Sequence, residues 1–419
     1  MTIYTQLSAA DKEQLDAELQ TQFKAYAADG LNLDMTRGKP SSQQLDLSNV
    51  MMNLDAYKDA SGTDCRNYGG LDGLPQMKAL FAEILELPVD NIIVGGNSSL
   101  TMMFDTLARA CLFGVSEEDQ PWQSQSPRFL CPSPGYDRHF TASQTLGLES
   151  ILVNMTDNGP DMDQVEALVA QDESIKGIWC VPKYSNPTGI SYSDEVVERL
   201  ASMKTAAVDF RIMWDNAYAE HHIDGNLDSV NEIIAACDAA GNPDRAYVFA
   251  STSKISFAGS GVAAFASSQA NVAFAKKIIG AQSIGPDKVN QLRHIELFPD
   301  LAALREHMNK HAALLAPKFQ LVDKILSEEL IDAGIASWTK PKGGYFTSLD
   351  MSQGSAKRAI ALSAELGVKL TAAGAPFPYG IDPNDCNIRI APSFPTLEDI
   401  EIAMRVFTLC VKISALESL

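Results

Sequence analysis

Apolar residues along the middle of the chain fall into short runs separated by amphipathic stretches. Residues 91–94, 128–131, 151–154, 177–181, 206–214, 246–250 and 262–266 each read as a buried strand of a parallel sheet. Between most of them the spacing turns helical, and Leu100, Met103, Phe104, Leu107 and Cys111 trace one apolar stripe. From about residue 79 to 268 the pattern is therefore a regular α/β alternation. The flanks have another texture. An amphipathic helix is expected over Ala9–Ala28, ending near Gly30, and the irregular string Thr36-Arg37-Gly38-Lys39-Pro40 follows. A long helical run covers Leu301–Leu330, strand-like segments come at 344–349 and Asn387–Ile390, and a closing helix starts near Leu397. Residues 114–127, rich in Ser, Gln and acids, read as a surface loop. The expected fold class is α/β. A large unit over 50–300 carries a mostly parallel central sheet, and a smaller α+β unit is built from 1–49 and 301–419.

Charge narrows the partners. Acidic residues outnumber basic ones by 53 to 33, for a net charge of -20. That excludes nucleic acid, whose phosphates call for basic patches. The field would also repel an anionic substrate, but only within a Debye length of about 8 to 10 Å. Recognition of such a substrate therefore falls to local arginines. No membrane association is expected, because the longest apolar stretches, 261–266 and 312–316, are far short of the ~20 residues a spanning helix needs. The polar, acidic residues 1–20 carry no secretory signal pattern. Seven scattered cysteines without a Cys-x-x-Cys pair read as reduced thiols in a cytoplasmic protein, with no disulfide framework and no metal site.

Five polar motifs fall at the carboxyl ends of expected strands, where ligands bind in open parallel sheets. They are Gly95-Gly96-Asn97-Ser98, Ser133-Pro134-Gly135-Tyr136, Ser185-Asn186-Pro187-Thr188-Gly189, Asp215-Asn216-Ala217-Tyr218 and Ser251-Thr252-Ser253-Lys254. Ordinary roles exist for several of them. Ser98 suits a helix N-cap, as does Asp215, and Asn186-Pro187 suits a turn. Tyr136 and Tyr218 serve equally as turn or core aromatics, and Arg389 as a structural ion pair.

In their order and spacing, Asn-Pro-Thr-Gly, Asp-x-x-Tyr, Ser-x-Ser-Lys and the late Asn387-Ile388-Arg389 resemble class I aminotransferases of pyridoxal 5'-phosphate (PLP) fold type I. The resemblance runs from about Arg37 to Arg389. Thr36-Arg37-Gly38-Lys39-Pro40, Pro134-Gly135-Tyr136-Asp137-Arg138-His139 and Asp215-Asn216-Ala217-Tyr218 look like the bacterial aspartate aminotransferase subgroup often called Ic. The resemblance implies that Lys254 carries PLP covalently and then serves as general base. Asp215 would pair with the pyridine nitrogen, Tyr218 and Asn186 would bond the phenolic oxygen, and Tyr136 would stack on the ring. Gly96, Asn97, Ser98, Ser251 and Ser253 would hold the phosphate, partly through helix N–H groups. Tyr68 would reach the phosphate of a neighbouring subunit, making a homodimer with shared active sites. Arg389 would grip the substrate α-carboxylate as a bidentate fork, with Asn186, Arg37 and Gly38 as further substrate contacts. The implied reaction is a ping-pong transfer from an L-amino acid, aspartate by subgroup, to a 2-oxo acid, 2-oxoglutarate.

Two departures stand out. Relatives often place an arginine eight residues after the lysine, on the phosphate, where this chain has Val262; Lys288 is a candidate substitute. The arginine that reads a second carboxylate would fall near Gly285 and is absent, leaving Arg37, Arg138, Lys183 and His139 as candidates. Rival readings are a β-lyase or decarboxylase on the same scaffold, an aminotransferase with aromatic or other amino-acid specificity, and an aminotransferase-like ligand-sensing regulator. A nicotinamide dehydrogenase is disfavoured because its Gly-x-Gly-x-x-Gly turn is missing.

Overall fold

A computed structural model describes residues 3–225 and 228–419. Successive side chains of a strand leave opposite faces of a sheet, and here both faces are covered. Phe129, Cys131, Trp179, Met213, Phe249 and Phe265 pack into one core. Their neighbours Leu130, Ile178, Cys180, Ile212, Trp214, Val248 and Ala264 pack into another on the opposite side. Neither face meets water, which is why these strands read as continuous apolar runs.

Leu33–Met35 (β1) belongs to the smaller unit. Ile92–Val94 (β2), Arg128–Ser133 (β3), Glu149–Thr156 (β4), Gly159–Pro160 (β5), Ile175–Cys180 (β6), Arg211–Asp215 (β7), Ala246–Ser251 (β8) and Ala263–Ala266 (β9) form one sheet. Its order is β2-β9-β8-β7-β6-β3-β4-β5. Strands β8, β7, β6, β3 and β4 run parallel. The sheet is thus mostly parallel, with β9 antiparallel to both neighbours and β5 antiparallel to β4.

Three sequence expectations need correction. The run at 262–266 is an antiparallel strand, because the connection from β8 is taken up by turns and holds no crossover helix. The strand expected at 206–214 starts only at Arg211, after a tight bend at 206–210. The stretch 114–127 is more than surface: Trp122 opens a short 3-10 turn and is fully buried against Phe129.

Ala336–Trp338 (β10), Thr347–Met351 (β11), Val368–Leu370 (β12) and Asn387–Ile390 (β13) complete the smaller unit. β10, β11 and β13 make an antiparallel sheet, and β1 pairs in parallel with β12. The helices Ala9–Ala28 and Leu397–Glu417 cover them. The 30-residue helix Leu301–Leu330 is capped by Asp300, whose carboxylate accepts from the Ala303 N–H at 2.8 Å. It gives Leu304 and Met308 to the large core, Leu315 and Phe319 to the junction, and Val322, Ile325 and Leu330 to the small core. The division expected at residue 300 therefore falls at the start of a helix that serves both cores. All seven cysteines are free, and six are buried. Among the described residues no helix is long and apolar enough to cross a membrane, and no His/Cys/Asp/Glu cluster is arranged to hold a metal ion.

Candidate active site

Two adjacent parallel strands, β7 and β8, deliver their last residues to one cavity of about 210 Å³. Asp215 ends β7 and Ser251 ends β8. Gly38, Ser98, Tyr136, Asn186, Asp215, Tyr218, Ser251, Ser253 and Lys254 all line it. A larger cavity of about 340 Å³ opens beside Lys183, Asn216 and Arg305. None of the residues expected on a cofactor lines that one, so the smaller cavity is the candidate site.

Lys254 sits in a turn held from two sides. Below it, His294 Nδ1 faces the Asn290 carbonyl at 2.8 Å and must donate there, so Nε2 is the acceptor for the hydroxyls of Thr252 (2.9 Å) and Ser256 (2.8 Å). From the small unit, the Tyr345 hydroxyl donates to the Lys254 carbonyl at 3.2 Å and itself accepts from Gln44 Nε2 at 3.1 Å. The Lys254 Nζ lies 4.6 Å from the centroid of the Tyr218 ring. Burial lowers the Lys254 pKa, against the opposing pull of Asp215. A lowered pKa raises the share of neutral, nucleophilic amine. Burial also pushes the Tyr218 hydroxyl well above its ordinary range, with Tyr136 adding to the shift, so it stays a donor.

Asp215 is buried, with its Oδ2 3.0 Å from His139 Nε2. The His139 ring is sandwiched on Trp179 (4.2 Å, 9°) and met edge-on by Tyr136 (4.8 Å, 76°). The other oxygen, Oδ1, is buried and has no hydrogen-bond partner. An orphaned buried carboxylate oxygen is costly. A protonated ring nitrogen would satisfy it, so the site fits the expected cofactor. At the other end, Ser98 caps the helix Ser99–Phe113, accepting from the Thr101 N–H at 3.3 Å. Ser251 donates to Ser253 (3.2 Å), which donates to the Asn97 carbonyl (3.1 Å). A Cβ on Gly261 would stand 2.8 Å from the Ser253 oxygen, so this corner needs glycine. To hold an anion without an arginine, these hydroxyls would turn their protons toward it and join the N–H groups at the start of the helix. Val262 is buried in the large core, and Lys288 lies outside the cavity with its ammonium on the Gly69 carbonyl at 2.6 Å.

Arg389, on β13, stands behind Asn186. Its Nη1 donates to Asn186 Oδ1 (3.3 Å) and to Asp137 Oδ1 (2.8 Å), and its guanidinium carbon lies 5.0 Å from the Phe346 ring centroid. The other expected residues are not drawn in. Arg37 and Arg138 are exposed; Tyr68 is 81% exposed and lines no part of this cavity. Gly96 and Asn97 border the cradle through their backbones. Two candidates for a second carboxylate are otherwise engaged: His139 on Asp215, and Lys183 on the Ala219 carbonyl at 2.9 Å. The sequence reading missed Tyr345 and Phe346, whose signal was the Gly343-Gly344 turn that brings the following aromatics against the site.

Two predictions arise here. A Cβ on Gly38 would stand 2.3 Å from Phe346 Cζ, so Gly38→Ala must push the ring that supports Arg389. The KM for the amino acid should rise roughly tenfold to a hundredfold with a smaller change in kcat; an unchanged KM would mean the ring yields freely. The second concerns acid. Burial lowers the His294 pKa from 6.5 to about 4. Above pH 6.5 neither state is protonated; below it the unfolded chain gains a proton that the fold resists. Stability should therefore fall between pH 6.5 and about 4, by on the order of 3 kcal/mol from this group. Denaturant titrations across that window should show a shallower decline in His294→Gln, and an identical decline would sink the assignment.

Comparisons with known proteins agree with this geometry. A family model described as aspartate amino-transferase matches residues 7–419. An aspartate aminotransferase of Corynebacterium glutamicum is 44% identical over 429 residues, covering 100% of this chain and 99% of that protein. A Mycolicibacterium smegmatis protein described as an aminotransferase is 51% identical over 417 residues, covering 97% of each. Among solved structures, an aspartate transaminase of Corynebacterium glutamicum superposes with a TM-score of 0.97 at 43% identity, covering 100% of this chain and 99% of that one. Fold, buried lysine and whole-length similarity converge: the chain is an aminotransferase of PLP fold type I and belongs to the aspartate aminotransferase family.

Proposed function

We propose that the chain transfers the amino group of L-aspartate to 2-oxoglutarate with PLP as cofactor, by ping-pong kinetics. One observation carries the cofactor reading: Lys254 and the unpartnered Oδ1 of Asp215 belong to the same buried cavity. When bound, PLP supplies the electron sink that makes the substrate Cα proton removable, and it carries the amino group between half-reactions. The residues of the chain do the rest. Lys254 Nζ would be the attachment point and, once freed, would carry the proton between the substrate Cα and the cofactor carbon that receives the amino group. Asp215 Oδ1 holds the proton on the ring nitrogen, steadied through Oδ2 by His139. Tyr218 and Asn186 hold the phenolic oxygen, and Tyr136 the ring face. Ser98, Ser251, Ser253 and the helix N-terminus hold the phosphate, and Arg389 takes the α-carboxylate.

Aspartate as donor is supported by the relative at 44% identity that carries that activity in its name. A homodimer is supported by Tyr68, which is exposed on one chain and resembles the tyrosine that reaches a neighbouring subunit's phosphate. A cytoplasmic setting is supported by the seven free thiols. The test is spectroscopic. The purified protein with PLP should be yellow, and L-aspartate without any oxo acid should bleach the band and release oxaloacetate. Bleaching by another amino acid alone would overturn the donor. Pyruvate and ammonia would mark a lyase, and the lack of any band would overturn the cofactor.

A further inference from the structure

The substrate-gripping arginine is already held on one side. Both hydrogens of Arg389 Nη1 are used, one by Asn186 Oδ1 at 3.3 Å and one by Asp137 Oδ1 at 2.8 Å. Asp137 opens the helix Asp137–Thr145, on an element remote in sequence from β13. The Arg389 side chain is only 8% exposed and rests on Phe346. Its Nε is buried and has no partner. A guanidinium offers a side-on edge of parallel N–H bonds from Nε and Nη2. Nε is the unsatisfied atom of that edge, and a buried donor without a partner points to a missing acceptor.

We propose that Asp137 is a positioning residue for substrate: with Asn186 it fixes Nη1, and so presents the Nε–Nη2 edge of Arg389 to the incoming carboxylate. The inference rests on the reading of Arg389 as the α-carboxylate anchor. Its geometry opposes the alternative that Asp137 is a resting occupant which substrate must displace. An occupant would take the fork with two bonds and satisfy Nε, whereas Asp137 takes one nitrogen and leaves Nε open. The second Asp137 oxygen makes no bond to Arg389; it lies 4.0 Å from Nε of the exposed Arg138.

The test uses the holoenzyme and two probes: succinate, which binds without reacting, and aspartate in steady state. Cofactor content is checked by absorbance in every variant. Asp137→Ala should weaken succinate and raise the aspartate KM by roughly tenfold to a hundredfold, with a much smaller fall in kcat. Asp137→Asn, which keeps an acceptor for Nη1 but drops the charge, should recover most of that loss. Asp137→Ser, too short to reach, should behave like alanine and serves if the alanine variant fails to hold cofactor. In an Arg389→Gln background, Asp137→Ala should add little, because the aspartate acts through the arginine. Tighter succinate binding in the alanine and asparagine variants would overturn positioning in favour of displacement. Equal losses of kcat, KM and cofactor would reduce Asp137 to a structural ion pair. If Arg389→Gln itself leaves succinate binding unchanged, the anchor reading fails; if Arg389→Gln weakens it and Asp137→Ala does not, only the positioning role fails.

Discussion

Lys254→Ala should lower transamination by roughly four orders of magnitude or more, because one amine is asked to do two jobs. It is the only lysine lining the described cavity, so no second amine stands ready to replace it. Its turn is fastened through His294 and Tyr345 by the backbone and neighbouring hydroxyls, none of which involve the side chain. Truncation should therefore leave the turn, the fold and much of the cofactor affinity in place, while the proton carrier disappears. Lys254→Arg sharpens the point. It keeps a positive charge, but a guanidinium stays protonated at any working pH and neither attacks a carbonyl nor accepts a Cα proton. Both variants should lose the absorbance band of the covalently held cofactor and bind PLP only non-covalently. Steady-state rates alongside absorbance are the measurement. Activity within tenfold of the parent protein would remove Lys254 from the chemistry.

Much of this was legible in the sequence, and the boundary of legibility is physical. Strands buried on both faces announce themselves as apolar runs, and helices with one wet face as stripes; hence the close match for Leu301–Leu330 and Asn387–Ile390. Strand direction is set by connections, so the alanine-rich β9 gave no local sign of running backwards. The three-residue strands β1, β10 and β12 are too short to show a period. Site residues that close a strand were readable because the sheet fixes where its carboxyl ends go. His139 misled for the complementary reason: its place in the chain suggested a substrate contact, while its helix turns the ring inward onto Trp179 and Asp215. The pairing of Arg389 with Asp137 joins residues 252 apart, which no local pattern encodes. Tyr68 is the remaining case: it is exposed and meets no part of the site in its own chain, so the fold of one chain gives it no role.

Asp215→Asn should cost roughly a hundredfold to a thousandfold in kcat, or more, while leaving the apoprotein at least as stable as the parent. The substitution is nearly isosteric, and its surviving oxygen keeps an acceptor beside His139 or the ring nitrogen, though not both. What it removes is the anion. A neutral amide can present an N–H to the pyridine nitrogen, which then has no need of a proton, and an unprotonated ring is a poor electron sink. The stability side follows from the same atoms. Oδ1 is buried without a partner in a side chain only 3% exposed. A fold that keeps an unsatisfied buried carboxylate gives up stability at that point for the sake of a ligand. Exchanging charge for amide lowers the desolvation penalty, offset in part by losing the attraction to Lys254. Melting of the apoprotein and kcat of the PLP-loaded form should thus move independently or in opposite directions. If both collapse together, Asp215 is holding the fold rather than the ring. A fall in kcat at equal or higher melting temperature means the site carries its electrostatic strain ready-made, and the cofactor's ring nitrogen relieves it.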